Sequence, residues 1–231
     1  MLFYQPDEGY RFNSDSIFLY DFVTSFAPRG SLLDVGAGVG VIGLLLSRDF
    51  GLDLTMVEIQ EKMASYARIN AKINGIDANI VVQDFLEFEE KGRFDTVVSN
   101  PPFYHSEVVQ SDDEHINRCR YNVHLPIEPF IAKVKRCLKP RGHLFFCYDP
   151  SQLMALSVAL DRAGLRIEDI RFVHPKKDRP AKLVMIHARN RSRARARIWP
   201  PFIVYDGMSY GEEAKKIFQK ARTHTIKCRI S

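Results

Sequence analysis

Between Ser31 and Tyr148, short runs of apolar and β-branched residues alternate with longer stretches whose apolar positions recur every three or four residues. Side chains repeat every two residues on a strand and every 3.6 on a helix, so the pattern predicts parallel strands joined by crossover helices. Strands are expected near 31–36 (SLLDVG), 53–58 (DLTMVE), 79–83 (NIVVQ), 94–99 (FDTVVS) and 142–148 (GHLFFCY). Helices are expected near 41–49, 60–73, 126–138 and 151–163, the last two opened by Pro126 and by Ser151 after Pro150. Gly75, Pro140, Gly142 and Gly164 then fall just past helix ends, where a non-helical residue is wanted.

After Gly164 the pattern becomes more extended, with β stretches at Arg166 to His174, Lys182 to Ala188 and Arg195 to Tyr205. No helix long enough to return a parallel strand separates the last two, so they are expected to pair antiparallel and make the far edge of the sheet mixed. Near the start, a helix is expected from Ser14 to Phe26, capped by Asn13 or Ser14. The result is one α/β domain over 1–231, with an N-terminal helical segment (1–29), a core (30–190) and a basic C-terminal strand and tail (191–231).

Composition changes this picture little. A chain of 231 residues, 45% apolar and 26% charged, is long enough to bury a full core without disulfides. Cys119, Cys137, Cys147 and Cys228 match neither a zinc ribbon nor a disulfide framework, and are read as reduced thiols in a cytoplasmic protein. The longest apolar run, Ser31 to Ser47, holds Asp34 and several glycines and is too short to span a bilayer, and Met1 to Gly9 lacks a leader pattern. Charge is more informative. The net +5 divides into 16 basic and 22 acidic residues over 1–164, against 17 basic and 6 acidic over 165–231. A basic third on an acidic body points to a polyanionic partner, or else to a basic solvated surface.

Chemistry concentrates at strand ends. Asp34, Gly36, Gly38 and Gly40 form D-x-G-x-G-x-G, running from a strand into a helix and bringing backbone close to a ligand. Gly38, Gly40 and Gly43 also spell GxGxxG, which alone fits a dinucleotide site. Asp34, however, would repel a pyrophosphate and suits a cationic ligand; otherwise it orients the loop through backbone amides. Glu58, ending the second strand, is placed to accept hydrogen bonds from both hydroxyls of a ribose. Asp84, ending the third, is a candidate ligand residue or a helix cap. The fourth strand runs into Asn100-Pro101-Pro102-Phe103-Tyr104. Two prolines stop the ladder and hold Asn100 and the Pro101 carbonyl at the strand tip, where each can accept one N–H of an amine. Phe103 or Tyr104 can stack on a flat ring. His105 and His115 are read as polar loop residues. With no HxxxH or carboxylate cluster in the sequence, no metal is expected.

The glycine loop resembles motif I of class I S-adenosylmethionine-dependent methyltransferases, and Asn-Pro-Pro-Phe resembles motif IV of those acting on adenine N6, cytosine N4 or a glutamine amide. That resemblance implies a Rossmann-like fold with a mixed seven-stranded sheet and helices on both faces. It implies S-adenosyl-L-methionine held by Asp34, Gly36, Gly38, Gly40, Glu58, Asp84 and Asn100, and catalysis at Asn100, Pro101, Pro102 and Phe103. Gly9-Tyr-Arg-Phe-Asn-Ser-Asp15-Ser-Ile-Phe-Leu19, Asn117-Arg118-Cys-Arg120-Tyr121 with Leu125, His174-Pro-Lys176, Pro180 to Met185, and Pro201 to Asp206 with Tyr210 resemble the bacterial tRNA adenine-N6 methyltransferases that modify a purine beside the anticodon. The implied partner is tRNA, contacted by Phe103, Tyr104, Arg118 and Arg120. The tract Arg189 to Arg197 has arginines at alternate positions, so in an extended segment Arg193, Arg195 and Arg197 share one face toward phosphates; in a loop they fan outward. Lys176, Lys177, Arg179 and Lys182 extend the patch. A methyltransferase of protein glutamine or of another RNA or DNA amine, and a noncatalytic nucleic-acid-binding protein of this fold, are the alternatives.

Overall fold

The structure, a computed structural model, describes residues 1–9, 11–101 and 126–229. The chain opens with β1 (Leu2–Pro6) and α1 (Ser14–Thr24), then alternates β2 (Ser31–Val35), α2 (Val41–Phe50), β3 (Asp53–Glu58), α3 (Glu61–Ile73), β4 (Ala78–Val82) and β5 (Phe94–Ser99). Next come α4 (Ile127–Cys137), β6 (Leu138–Tyr148), α5 (Leu153–Arg162), β7 (Leu165–His174) and β8 (Leu183–Asn190). The chain closes with β9 (Arg197–Ile198), β10 (Phe202–Ile203), a hairpin of β11 (Tyr205–Asp206) and β12 (Ser209–Tyr210), α6 (Glu212–Ala221) and β13 (His224–Cys228).

The main sheet has the order β10-β7-β8-β6-β5-β2-β3-β4, with β9 also on β7. β2 to β6 are mutually parallel, and β8 runs antiparallel to both β6 and β7. Every residue of β2 is buried, as a central parallel strand covered on both faces requires. Seven of the eight expected strands are β2 to β8, and with the short β9 and β10 the sheet has nine strands among the described residues, two more than the seven the resemblance implies. Chain order runs from β2 outward through β3 and β4, then resumes on β2's other side with β5, so the β2–β5 junction is the point at which the sheet reverses its winding. Loops leaving the carboxyl ends of those two strands flank a crevice.

The structure corrects three readings. Arg195 to Tyr205 does not pair antiparallel with the preceding strand: β9 and β10 both lie parallel to β7, on its outer side. Because β8 is itself antiparallel to β7, a short crossing past β7 restores the parallel direction without a helix. Pro200 and Pro201, lacking N–H donors, split the segment into two short strands. Second, Pro140 and Gly142 lie inside β6, which follows α4 directly. A Cβ on Gly142 would stand 3.2 Å from the Phe94 carbonyl and 2.9 Å from Leu138 Cδ2, so glycine permits the close approach of β5 and β6. Third, the ends hold more structure than a helix and a tail: β1 and β13 form a separate parallel pair, and α6 packs near α1. α1 is capped by the Asn13 side chain, which accepts from the Asp15 N–H.

Two asparagines explain how β1 is seated. Asn70 and Asn74 stand four residues apart at the end of α3, a rise of about 6 Å that nearly matches two strand residues. Asn70 Oδ1 accepts from the Tyr4 N–H at 2.7 Å and its Nδ2 donates to the Tyr4 carbonyl at 3.0 Å. Asn74 does the same for Leu2, at 3.0 and 2.7 Å. Asn70 Nδ2 also donates to the Val39 carbonyl at 3.0 Å, tying the terminal strand to the glycine loop.

Candidate active site

The loop after β2 is built for close backbone approach. Gly36, Gly38 and Gly40 all have positive φ, at +66°, +57° and +84°. The N–H groups of Gly36 and Ala37 donate to the Val57 carbonyl at 2.8 and 3.2 Å, pinning the loop to β3. A Cβ on Gly36 would meet nothing within 4 Å, so the loop presents open space there, whereas one on Gly40 would strike Met56 Sδ at 2.9 Å.

Asp34 does not face that space. It is 1% exposed, and its Oδ2 accepts from the Gly43 N–H at 2.8 Å, fixing the start of α2. Burial pushes its carboxyl up to about 7, against the pull of the Gly43 N–H. The geometry thus supports the loop-orienting reading over direct contact with a cation. Glu58 is 6% exposed, so it is no solvated strand end. Its Oε2 accepts from the Gly38 N–H at 2.8 Å and its Oε1 from the Gln60 N–H at 2.9 Å. Burial raises its carboxyl above the usual range, tempered by these N–H donors. Each oxygen retains a second lone pair. Asp84 heads a short 3-10 turn, Phe85–Glu87, and its Oδ1 accepts from the Leu86 N–H at 2.9 Å. The cap reading of Asp84 is therefore realised, with its second oxygen remaining for other acceptor roles.

Asn100 stands at the carboxyl end of β5, next to β2, on the same rim as the glycine loop and Glu58. Its Nδ2 donates to Ser16 Oγ at 3.0 Å and its Oδ1 accepts from Cys147 Sγ at 2.9 Å. Complete burial pushes the Cys147 thiol well above its usual range, so the sulfur keeps its proton and is the donor. That assignment sets the carboxamide: oxygen toward Cys147, nitrogen toward Ser16. Neither Ser16 nor Cys147 is given a site role by the sequence reading. The signal for Cys147 lies in strand register, since Ser99 pairs with Phe146 and the next level brings Asn100 beside Cys147. Pro101 follows, buried. Pro102, Phe103, Tyr104, His105, His115, Asn117, Arg118, Cys119, Arg120, Tyr121, Leu125 and Tyr10 lie outside the described residues.

The arginine tract is not beside this site. Arg189 pairs with His143, below the level of the Ile186–Phe146 pair that adjoins Ser99, and β8 runs away from the rim. Residues 191–196 are not a strand, so the arginines fan outward, and Arg191 and Arg193 surround a cavity with Pro140 and Arg141 at the amino end of β6. Arg193 and Arg195 border a second one with Leu165 and Arg166, where β7 begins. Arg197 is committed elsewhere: its guanidinium lies 2.7 Å from Asp169 and over the Trp199 ring. Lys176, Lys177, Arg179 and Lys182, in contrast, are exposed in the loop joining β7 to β8 at the carboxyl rim.

Glu168, Asp169 and His187 bring potential metal-ligand atoms within 4.8 Å of one another. The grouping is a hydrogen-bonded network. Asp169 Oδ2 pairs with His187 Nδ1 at 2.9 Å, and its Oδ1 accepts from Trp199 Nε1 at 2.8 Å and from Arg197 Nε at 2.7 Å.

A glycine loop, an acidic strand end and an asparagine gathered around the winding reversal of a mixed α/β sheet define a class I methyltransferase fold. Superposition agrees: a predicted O-methyltransferase from Agrobacterium tumefaciens aligns with a TM-score of 0.69 over 93% of this chain and 100% of its own, at 18% identity. Geranyl diphosphate C-methyltransferase from Streptomyces coelicolor, solved with S-adenosyl-L-homocysteine, aligns at 0.57 over 74% and 78%, at 16% identity. The chain belongs to the methyltransferase small domain family, whose model matches residues 13–157. Among its relatives, a tRNA1(Val) (adenine(37)-N6)-methyltransferase of Bacteroides fragilis is 31% identical over 124 residues, 52% of each chain. A ribosomal RNA small subunit methyltransferase C of Aeromonas hydrophila is 42% identical over 79 residues, 34% of this chain and 23% of that one. The chain spans about half the length of the tRNA-modifying relatives it matches. No helix among the described residues is long and apolar enough to cross a membrane.

Proposed function

We propose that this protein transfers a methyl group from S-adenosyl-L-methionine to the exocyclic N6 amine of an adenine in tRNA, with an anticodon-loop purine as the target. The observation that carries the reading is Asn100, held by Ser16 and Cys147 at the tip of β5 beside the glycine loop of β2. Open space at Gly36 and the remaining lone pairs of Glu58 suit a ribose, so Gly36, Gly38 and Glu58 would hold the nucleoside half, with Asp84 toward the base. Asp34 and Gly40 would shape the loop from behind. Bound S-adenosyl-L-methionine supplies an electrophilic methyl on a sulfonium.

The protein's own part is positioning. Asn100 Oδ1 keeps one lone pair beyond its bond to Cys147, and together with the Pro101 carbonyl it would accept the two N–H groups of the target amine. Two acceptors draw the nitrogen out of conjugation and aim its lone pair at the methyl. An amine attacking a sulfonium can lose its proton late, so orientation and electrostatics supply the rate acceleration. In this reading Pro102 belongs to the same catalytic motif, Phe103 or Tyr104 would stack on the ring, and Arg118 and Arg120 would contact the RNA.

The match to tRNA1(Val) (adenine(37)-N6)-methyltransferases supports adenine in tRNA. The shorter match to ribosomal RNA small subunit methyltransferase C favours a second reading, an exocyclic amine in ribosomal RNA. Incubation with methyl-labelled cofactor and either total tRNA or ribosomal RNA, followed by digestion to nucleosides, separates the two. N6-methyladenosine from tRNA is expected; label confined to ribosomal RNA or to protein would replace the tRNA reading.

A further inference from the structure

The carboxyl rim carries a second feature that neither the glycine loop nor Asn100 uses. Leaving β10, the chain is fastened to the end of β7: the Val204 N–H donates to the His174 carbonyl and the Tyr205 N–H to the Pro175 carbonyl, each at 2.9 Å. These bonds place the β11–β12 hairpin against the start of the loop that holds Lys176, Lys177, Arg179 and Lys182. Tyr205 and Tyr210, directly opposite in the hairpin, stack with ring centroids 5.1 Å apart and planes 18° from parallel. They are 37% and 39% exposed, and Met208 at the hairpin tip is wholly exposed.

The pair is anchored, which distinguishes it from stray surface aromatics. Tyr210 meets Phe218 edge-on at 4.8 Å, and Phe218 packs on buried Phe18 at 5.7 Å. Phe18 lies on α1, one half-turn beyond the Ser16 that holds Asn100. The neighbouring loop is electrostatically unbalanced: it carries four cations and one carboxylate, Asp178, and none of the four joins an ion pair with the described residues. The Arg179 carbonyl is bonded to the His174 ring at 2.8 Å, so the loop has a fixed turn.

Stacked aromatic faces beside uncompensated cations are the two requirements of a surface for unpaired nucleic acid: rings for bases, ammonium and guanidinium groups for phosphates. We propose that the Tyr205–Tyr210 hairpin and the 175–182 loop form a docking surface for an unpaired stretch of RNA flanking the target base, an inference that rests on the RNA reading above. β10 lies four strand positions from β5, about 19 Å across the sheet, so this surface takes neighbouring nucleotides while the target base occupies the crevice at Asn100. It also replaces Arg193 and Arg195, at the opposite end of the sheet, as the grip nearest the chemistry. An acidic protein would match the cations but leave the parallel rings without a purpose.

The test uses the full chain, with fluorescence anisotropy on labelled oligo-uridylate and on total tRNA across a salt series. Replacing Tyr205→Ala with Tyr210→Ala should weaken oligo-uridylate binding about tenfold or more with little change in salt slope. Tyr205→Phe with Tyr210→Phe keeps the rings and should bind as the parent does. Lys176→Ala with Lys177→Ala should flatten the log affinity against log salt slope by about 1.4, while Arg193→Ala with Arg195→Ala should leave oligo-uridylate binding unchanged. Undiminished binding by the alanine pair, or equal loss in the phenylalanine pair, overturns the surface. Displacement by polyglutamate but not by oligo-uridylate overturns it in favour of an acidic protein. A parent protein that binds neither RNA removes the RNA reading itself, a result distinct from parent binding that survives loss of both tyrosines.

Discussion

Asn100 Oδ1 accepts the Cys147 S–H at 2.9 Å, and this bond, opposed by the Ser16 contact on Nδ2, decides which way the carboxamide faces. Asn100→Ala should lower turnover by about a hundredfold or more while cofactor affinity, read by calorimetry, is retained. Cys147→Ala removes one neutral hydrogen bond, worth about 1 kcal/mol, and should lower kcat roughly fivefold. Cys147→Ser restores a donor and should recover most of that loss. A serine variant as slow as the alanine variant would show that the thiol fills space without orienting Asn100.

Gly36, in the loop after β2, and Gly43, in the first turn of α2, should fail in different assays. At Gly43 a Cβ would lie 2.9 Å from Leu54 Cδ1 and 3.0 Å from Asp34 Oδ2, so Gly43→Ala should destabilise the fold by about 1–3 kcal/mol. At Gly36 the Cβ meets nothing within 4 Å, though φ is +66°, so Gly36→Ala should cost about 1 kcal/mol of stability and weaken cofactor binding disproportionately. Thermal denaturation with and without S-adenosyl-L-methionine separates them: the ligand-induced rise in Tm should shrink most for Gly36→Ala.

The parallel half of the sheet was legible because each strand is a short apolar run ended by a glycine, an acidic residue or Asn-Pro, and each helix has its own period. Gly36, Glu58 and Asn100 could be located for the same reason, since strand ends are marked locally. The edge was not legible. Arg195 to Tyr205 reads as one strand, and only the path across β7 shows that β9 and β10 pair parallel with it. Alternating arginines read as a ridge, but ladder direction decides which end of the sheet they occupy, and β8 carries them away from the rim. β1 and β13 pair 222 positions apart, Leu2 with His224, which no local pattern encodes. Asp34 illustrates a subtler limit: a carboxylate facing a ligand and one buried against the Gly43 N–H have the same sequence signature.

Asn70 should be a stability hub for both the terminal strand and the loop. It is fully buried and bonds Tyr4 twice and Val39 once. Asn70→Ala leaves those backbone groups without their partner, a cost of about 1–3 kcal/mol. Tm should fall by roughly 2–4 °C for each kcal/mol lost. Asn74→Ala, at a half-buried position, should cost less. Equal Tm for Asn70→Ala and the parent would mean that Asn70 does not anchor β1, leaving it to Asn74, β13 and the packing of Phe3.

Acid stability provides a test of the buried histidine chain. With Asp169 ionised, His187 donates from Nδ1 and is left with Nε2 as an acceptor, so His143 Nδ1 donates to it at 2.9 Å. Burial, then the nearby His187 and Arg189, holds the His143 imidazole at about 4, below its ordinary 6.5. A depressed histidine favours the neutral folded form, so its contribution is complete above pH 6.5 and is lost as pH falls from 6.5 toward 4. The raised Asp34 and Glu58 carboxyls act with the opposite sign over the same range, so the His143 contribution is read as a difference: urea denaturation at a series of pH values should show the parent losing stability relative to His143→Gln as pH falls across that window. His143→Gln keeps an N–H for His187 but does not titrate, so its curve lacks the His143 contribution and keeps those of His187, also held low by burial, and of the raised Asp34 and Glu58 carboxyls; the depressed Asp169 carboxyl acts only below about 3.8. Parallel curves for the parent and His143→Gln would show that His143 is not the group being protonated.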